Sequence, residues 1–186
     1  MFPNIGQIQA TADYATVYQW EMQFLFPPRG VSSAGTWMSE PDWNVRCESA
    51  ELPQATNQPV TVSIRGHEIK QPGITSYSKQ INIVFVETVD NKISEFLKAW
   101  KEICYRTTSG HQWRKEDTDA VVQIMRLNRQ LIPIYEYILV GCWLEDAQLG
   151  SLDGSSSEAM KPNMTMSYDY FVEGAPGGAA PGPIPF

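Results

Sequence analysis

The chain predicts a mainly β protein, an antiparallel β-sandwich or barrel with one flanking α-helix. Three observations carry that reading. Apolar and polar residues alternate with period two in several separated stretches, a single stretch from Ile93 to Ile103 follows the helical period, and one long strand is apolar on both sides.

Along the chain, Tyr18, Trp20, Met22, Phe24 and Phe26 alternate with Val17, Gln19, Glu21, Gln23 and Leu25. This is a half-buried strand that ends at Pro27, Pro28, Arg29 and Gly30. Residues 27–42, rich in Pro, Gly and Ser, predict an extended arm or loop, and a short alternating stretch runs from Trp43 to Ser49. Val60, Val62 and Ile64 against Thr61 and Ser63 give a further strand. A turn-rich segment with Gly66, Pro72 and Gly73 then leads to a strand from Lys79 to Glu87. In that strand Ile81, Ile83 and Phe85 line one face and Val84 and Val86 the other, so both faces are expected to be partly covered.

Asp90 is the expected N-cap of the helix, and Ile93, Phe96, Leu97, Trp100 and Ile103 share one face of it. Lys92, Glu95, Lys98, Lys101 and Glu102 occupy the rest as a solvated surface. A charged loop, Thr107 to Asp119, precedes a strand from Ala120 to Leu127. In the next strand, Ile134 to Leu144, Tyr135, Tyr137, Leu139 and Trp143 face one way and Ile138, Val140, Cys142 and Leu144 the other. Such a strand belongs at the centre of a sheet or against another subunit. After a loop with Gly150, Gly154 and Ser155 to Ser157, Met164, Met166, Tyr168 and Tyr170 alternate with Thr165, Ser167 and Asp169 in a last strand with one polar face. Residues 1–173 read as one domain. Residues 174–186, with four Gly, four Pro and three Ala, read as an extended tail. The tail ends in Ile184, Pro185 and Phe186, either tolerated apolar groups or an anchor for a neighbour.

At 186 residues, 42% apolar and 19% charged, the chain is suited to one folded domain and has no apolar run near the length of a membrane span. A net charge of -7 argues against sequence-independent binding of nucleic acid. Phe2, Pro3, Asn4 and Ile5 after Met1 do not form a signal peptide, so a cytoplasmic setting is expected. Cys47, Cys104 and Cys142 are scattered and odd in number, which suits buried hydrophobes better than disulfides. No CxxC, HxxxH or HExxH spacing offers a metal site. No GxSxG elbow offers a nucleophile, and Gly150 to Gly154 lacks the lysine of a phosphate loop, so neither catalytic residues nor a cofactor or metal is expected. His67 and His111 fall in a turn and a charged loop. Glu145 and Asp146 read as the rim of a loop, and the sequon Asn163-Met164-Thr165 has no meaning without secretion. What stands out is surplus. Doubly apolar strands, six tryptophans and apolar termini exceed what one small barrel obviously hides, and such surplus marks subunit interfaces.

The order of segments resembles the tail tube proteins of contractile-tailed bacteriophages. Cys47-Glu-Ser-Ala-Glu-Leu52-Pro53 is similar to that family's early strand with its Leu-Pro turn. Ile81 to Glu87, Asp90 and a helix bearing Phe96 and Trp100 resemble its strand-helix unit. Gly141 to Leu144, Leu152-Asp153 with Glu158, and Met166-Ser-Tyr-Asp-Tyr-Phe171 resemble its closing hairpin, and the matches span roughly residues 43 to 171. The resemblance implies a non-enzymatic structural subunit of the virion, assembled in the host cytoplasm. Six copies would close into a ring, and rings would stack into a hollow tube inside a sheath. The implied partners are other copies of the chain, the sheath protein, and the baseplate and terminator proteins, with DNA touched only in transit. Six copies at -7 each carry -42 per ring, which would let phosphates pass without adhering. Thr61, Ser63, Thr165, Ser167 and Asp169 are candidates for the lumen lining. The arm at Pro27 to Pro41 and the tail beyond Phe171 exceed the family pattern, which leaves room for a baseplate initiator or tube terminator of the same fold. Secretion-system tube proteins share that fold as well. A third possibility is a β-barrel binding module with Tyr135, Tyr137 and Trp143 as its aromatic platform.

Overall fold

Alternating segments gain most when each lays its apolar side on a shared core, and that is how they settle in the computed structural model, which describes residues 17–33, 44–151, 153, 155 and 157–177. The elements are β1 (Trp20–Phe26), α1 (Arg29–Ser33), β2 (Cys47–Ala50), β3 (Ala55–Ile64), β4 (His67–Tyr77), β5 (Gln80–Phe85), α2 (Lys92–Cys104), α3 (Lys115–Thr118), β6 (Ala120–Leu127), β7 (Pro133–Gln148), β8 (Asn163–Ser167) and β9 (Tyr170–Gly174). Seven strands form one antiparallel sheet in the order β1-β6-β7-β8-β5-β2, with β9 also on β7, while β3 and β4 form a separate hairpin.

The doubly apolar strand is the spine of this sheet, as expected. One side of β7 pairs with β6, and the other takes β9 along Glu136–Val140 and then β8 along Trp143–Gln148. Between the two halves, Val140 faces Val121 and Cys142 faces Ala120, so Gly141 is an extra, bulged residue with φ of 69°. The bulge inverts the pleat. Leu139 before it and Cys142 and Leu144 after it all point into the main core. Two apolar phases on one strand are thus largely one core face that changes parity at a glycine.

Main-core residues come from both halves of the sheet, from Met22, Phe24 and Val122 on one side to Ile81, Ile83, Phe85, Met164 and Met166 on the other. Helix α2 joins them with the five residues its periodicity picks out, Ile93, Phe96, Leu97, Trp100 and Ile103. Phe24 meets Phe96 and Trp100 edge-on at centroid distances of 6.1 and 6.0 Å, and Trp100 Nε1 donates to the Thr118 carbonyl at 3.0 Å. Each such buried side chain contributes roughly 1.5–3 kcal/mol.

Several expectations are corrected. Asn91, with φ of 52°, holds the N-cap position in place of Asp90, and its side chain makes no capping bond. The cap is Glu87, whose carboxylate accepts from Ser94 N at 2.8 Å and Ser94 Oγ at 2.6 Å, while Asp90 pairs with Arg46. The turn-rich stretch around Pro72 and Gly73 lies inside β4, because the pairing shifts at Asn57 and Pro59 and sets Pro72 opposite Pro59, where no ladder hydrogen bond is demanded. The last strand breaks at Tyr168 and Asp169 into β8 and β9. Tyr18 precedes β1 and is exposed, and the charged loop contains the helical turn α3. Glu145 and Asp146 lie within β7, not on a loop rim. Within the expected arm, residues 29–33 are helical, while residues 34–43 lie outside the described residues, as do the tail residues 178–186.

Candidate assembly interface

Two surfaces follow from this architecture. The first is the solvent side of the four-stranded half-sheet β2-β5-β8-β7. Because Ile81, Ile83, Met164 and Met166 point inward, Gln80, Asn82, Asn163, Thr165 and Ser167 point outward. They are cross-linked side by side. Gln80 Nε2 donates to both Glu145 oxygens at 2.7 and 2.8 Å, Ser167 Oγ donates to Glu145 Oε2, Thr165 Oγ1 donates to Asn82 Oδ1 at 2.8 Å, and Asn82 Nδ2 donates to Glu51 at 3.0 Å. At its β2 margin Lys161 pairs with Glu48 at 2.6 Å, and the hydrogen bond to that carboxylate raises the lysine pKa. The face is polar and acidic in balance, and its side chains hold one another flat against the sheet.

The second surface is the hairpin. Arg65 and Gly66, both at positive φ (49° and 83°), make the two-residue turn that matches the right-handed strand twist. Val60, Val62, Ile64 and Ile69 fall on one side and Thr61, Ser63, Glu68 and Lys70 on the other. All of these residues are exposed. An apolar ribbon face over 20 residues of paired strand is an unusual thing to leave bare, since a lone two-stranded hairpin is marginal in water. The base of the hairpin is tied down through Tyr77 against Phe171, at a centroid distance of 5.6 Å, and through Ser78 Oγ and Tyr168 OH at 2.8 Å.

The five residues proposed for the lumen do not converge. Thr165 and Ser167 lie on the polar half-sheet, and Thr61 and Ser63 lie on the polar side of the hairpin. Asp169 belongs to the β8–β9 break, where it covers Gly141 and pairs with Lys115. There Asp119 lies 3.9 Å from the same lysine, and burial pushes its pKa up to about 6 despite the lysine. Gln80, Asn82, Glu51 and Glu145 complete the polar face. Sequence reasoning missed them for want of strand register, although the alternation around Ile81 and Ile83 already marks Gln80 and Asn82.

The aromatic platform does not form. Tyr137, whose ring centroid is 5.2 Å from that of Tyr135, leans on the main core, whereas Trp143, beyond the bulge, is on the opposite side from the core residues Cys142 and Leu144. Burial raises the pKa of Cys47 to about 12, that of Cys104 to about 11 and that of Cys142 further still, so all three are thiols at neutral pH and poor nucleophiles. Among the described residues no three His, Cys, Asp or Glu side chains are placed to hold a metal ion, and no helix is long and apolar enough to cross a membrane.

No protein-family model matches the sequence, and no curated protein does. Solved structures do match over nearly the whole chain. A chain in the six-fold symmetrised baseplate of the anti-feeding prophage superposes with a TM-score of 0.63 at 13% identity, covering 89% of this chain and 98% of that one. A chain in the tube-terminating cap of the same prophage gives 0.57 at 13%, covering 89% and 94%. A chain in the extended sheath-tube complex of the extracellular contractile injection system PVC gives 0.56 at 13%, covering 94% and 99%. The fold is thus the one found in chains of the baseplate, tube cap and sheath-tube assemblies of these contractile injection systems.

Proposed function

We propose that this chain is a non-enzymatic structural subunit of a bacteriophage contractile tail, which closes into hexameric rings and stacks into the inner tube through which DNA passes. The carrying observation is the β3–β4 hairpin, whose apolar face has no cover among the described residues and would gain one from a second copy. Among the described residues β2 has a strand partner on one side only, and neighbouring subunits pair edges of that kind. The polar half-sheet, with Thr165 and Ser167 beside Gln80, Asn82 and Glu145, is the surface we assign to the lumen. Thr61 and Ser63 join it where the hairpin continues the wall. Asp169 takes a structural role instead. Sheath, baseplate and terminator proteins are the further partners, in a virion assembled in the host cytoplasm.

A second reading rests on the superpositions, in which a baseplate chain fits with TM-score 0.63 and a sheath-tube chain with 0.56. In that reading the protein forms one ring, as a tube initiator or terminator. Negative-stain electron microscopy of the purified chain across protein and salt concentrations separates the two. Long hollow tubes support the repeated subunit, isolated annuli support the single-ring component, and monomers at every concentration count against both.

A further inference from the structure

The β6–β7 turn carries a side chain that its own fold does not explain. Asn128 closes the turn. Its Oδ1 accepts from Gln130 N at 2.8 Å and Ile132 N at 2.9 Å, its carbonyl accepts from Leu131 N at 2.9 Å, and its own N–H donates to the Ile132 carbonyl at 2.9 Å. The closure sets a left-handed residue at position 131, where a hairpin loop of this kind usually has glycine, and Leu131 holds it with φ of 59°. Folding gains little burial for this strain, since Leu131 is 68% exposed, with Ile132 at 53% and Ile134 at 43% beside it. Strand β1 begins at the same end of the sheet. Leu127 N donates to the Gln19 carbonyl at 2.9 Å, and the exposed Val17 and Tyr18 come just before Gln19. Large apolar side chains therefore stand bare around a turn whose backbone is firmly held.

We infer that this end of the sheet is the seat for the bare hairpin face of a second copy, so that subunits join head to tail. The inference rests on the reading that the chain assembles through its hairpin, and it names the surface the hairpin meets. A second copy is the occupant because each chain carries both halves of the contact. Val60, Val62, Ile64 and Ile69 on the hairpin are aliphatic and exposed, as are Leu131, Ile132 and Ile134 at the turn. Within one chain the two surfaces stand apart. The hairpin leaves the sheet where Tyr77 and Ser78 meet Phe171 and Tyr168, level with Leu139, and Ile132 lies about seven residues, or roughly 23 Å, away along β7. A two-fold contact of hairpin on hairpin would leave the turn bare and Leu131 unaccounted for. A head-to-tail contact covers both surfaces at once and repeats from copy to copy. The area is adequate. At the roughly 60–120 Å² that each such side chain presents when fully bare, the fractions exposed here bring on the order of 500 Å² of apolar surface together, most of the apolar share of a specific contact of ~1,200 Å².

Two double variants of the full chain test the contact, each changing exposed side chains only. Val62→Asp/Ile69→Asp spoils the hairpin and keeps the turn, whereas Leu131→Asp/Ile132→Asp spoils the turn and keeps the hairpin. Each variant alone is expected to be monomeric by native mass spectrometry at concentrations where the parent assembles. Mixed, the two are expected to form one-to-one dimers that grow no further, because each retains one surface. A short-lived dimer is caught by adding Ile69→Cys to the turn variant and Ile134→Cys to the hairpin variant. A flexible bis-maleimide is then expected to join the mixed pair at least ten-fold more than either variant alone, or than the mixture without the added cysteines. Leu131→Gly removes the side chain and the left-handed strain together. The monomer should melt no lower than the parent, while assembly should need a several-fold higher protein concentration; this variant decides if the turn double variant fails to match the parent's circular dichroism. Assembly of either double variant at the parent's concentration, or a mixture with neither dimer nor cross-link, overturns the seat and leaves self-assembly standing. A parent that stays monomeric at every concentration overturns the underlying reading instead, and the seat with it.

Discussion

At the scale of single residues, the junction around Gly141 concentrates the most consequence. A Cβ at this position would lie 2.2 Å from Asp169 Oδ2, and the backbone there holds φ of 69°, so a side chain meets both a clash and a strained conformation. Gly141→Ala is expected to lower stability by about 1–3 kcal/mol in urea denaturation, with a smaller loss when Asp169→Ala already clears the space. Beside it, Asp119 shows the opposite sign. Its Oδ1 is buried with no hydrogen-bond partner, and its pKa stands at about 6 against an ordinary 3.8, chiefly from burial, with the attraction of Lys115 opposing and the charge of Asp169 adding. A folded pKa above the unfolded one means that the folded state holds this proton more tightly. The contribution is therefore full below about pH 4 and lost as pH rises through about 6. Asp119→Asn is accordingly expected to stabilise the protein at pH 7 by on the order of 1 kcal/mol, allowing for screening by solvent and Lys115. The gain should shrink on acidification toward pH 4. Urea midpoints across pH 4 to 8 check this, and an Asn variant less stable than the parent at pH 7 would show that the carboxylate is a net asset.

Among elements, α2 was the most legible, because one apolar face at helical spacing admits few other structures, and all five predicted residues are buried. Its start was not legible. The expected cap, Asp90, is next to the cap position, but Arg46 claims its carboxylate and holds its pKa well below the usual range. Glu87, from the end of the preceding strand segment, fills the role across six or seven residues, a distance no local pattern encodes. Glu87→Ala leaves the amides of Ile93 and Ser94 without their acceptor and is expected to cost about 1–3 kcal/mol of stability and to fray the first turn, visible as faster amide exchange there. Asp90→Asn should move the same exchange rates less. The β4 strand was missed for a related reason. Pro72 and Gly73 read as turn residues in isolation, and only the shifted register opposite Asn57 and Pro59 makes them tolerable within a strand.

For the whole molecule, the alternating patterns revealed that the fold is antiparallel β with one helix, but not which of two polar faces would stand together. That depends on strand order, and the order β8-β5-β2 beside the second half of β7 is set by contacts far apart in sequence. The parity change at Gly141 had the same effect on the aromatic residues, separating Trp143 from Tyr137. The hairpin allows the proposed assembly to be tested apart from folding. Val62 and Ile69 are cross-strand partners on its bare face, so Val62→Asp/Ile69→Asp puts two charges where a second copy would have to bury them. Rings and tubes are expected to disappear from micrographs while the circular dichroism and melting of the monomer stay close to the parent's. Assembly persisting in this variant would remove the hairpin from the interface.

The lumen assignment makes a separate demand, because a wall on the inside of a tube differs from the outside only in what can reach it. Thr165 stands on the polar half-sheet and Glu95 on the solvent side of α2, so Thr165→Cys and Glu95→Cys sample two different surfaces. Cys142 is buried and Cys47 and Cys104 are half-buried, so the parent chain treated in parallel sets the background. In assembled particles a small maleimide is expected to label both variants. A maleimide carried on a polymer too wide for the bore should label Glu95→Cys alone, and dissociating the particles should restore labelling at Thr165→Cys. Equal reaction of both variants with the large reagent, in intact tubes, would place the polar half-sheet on the outer surface and leave the passage of an acidic polymer to be lined by some other face.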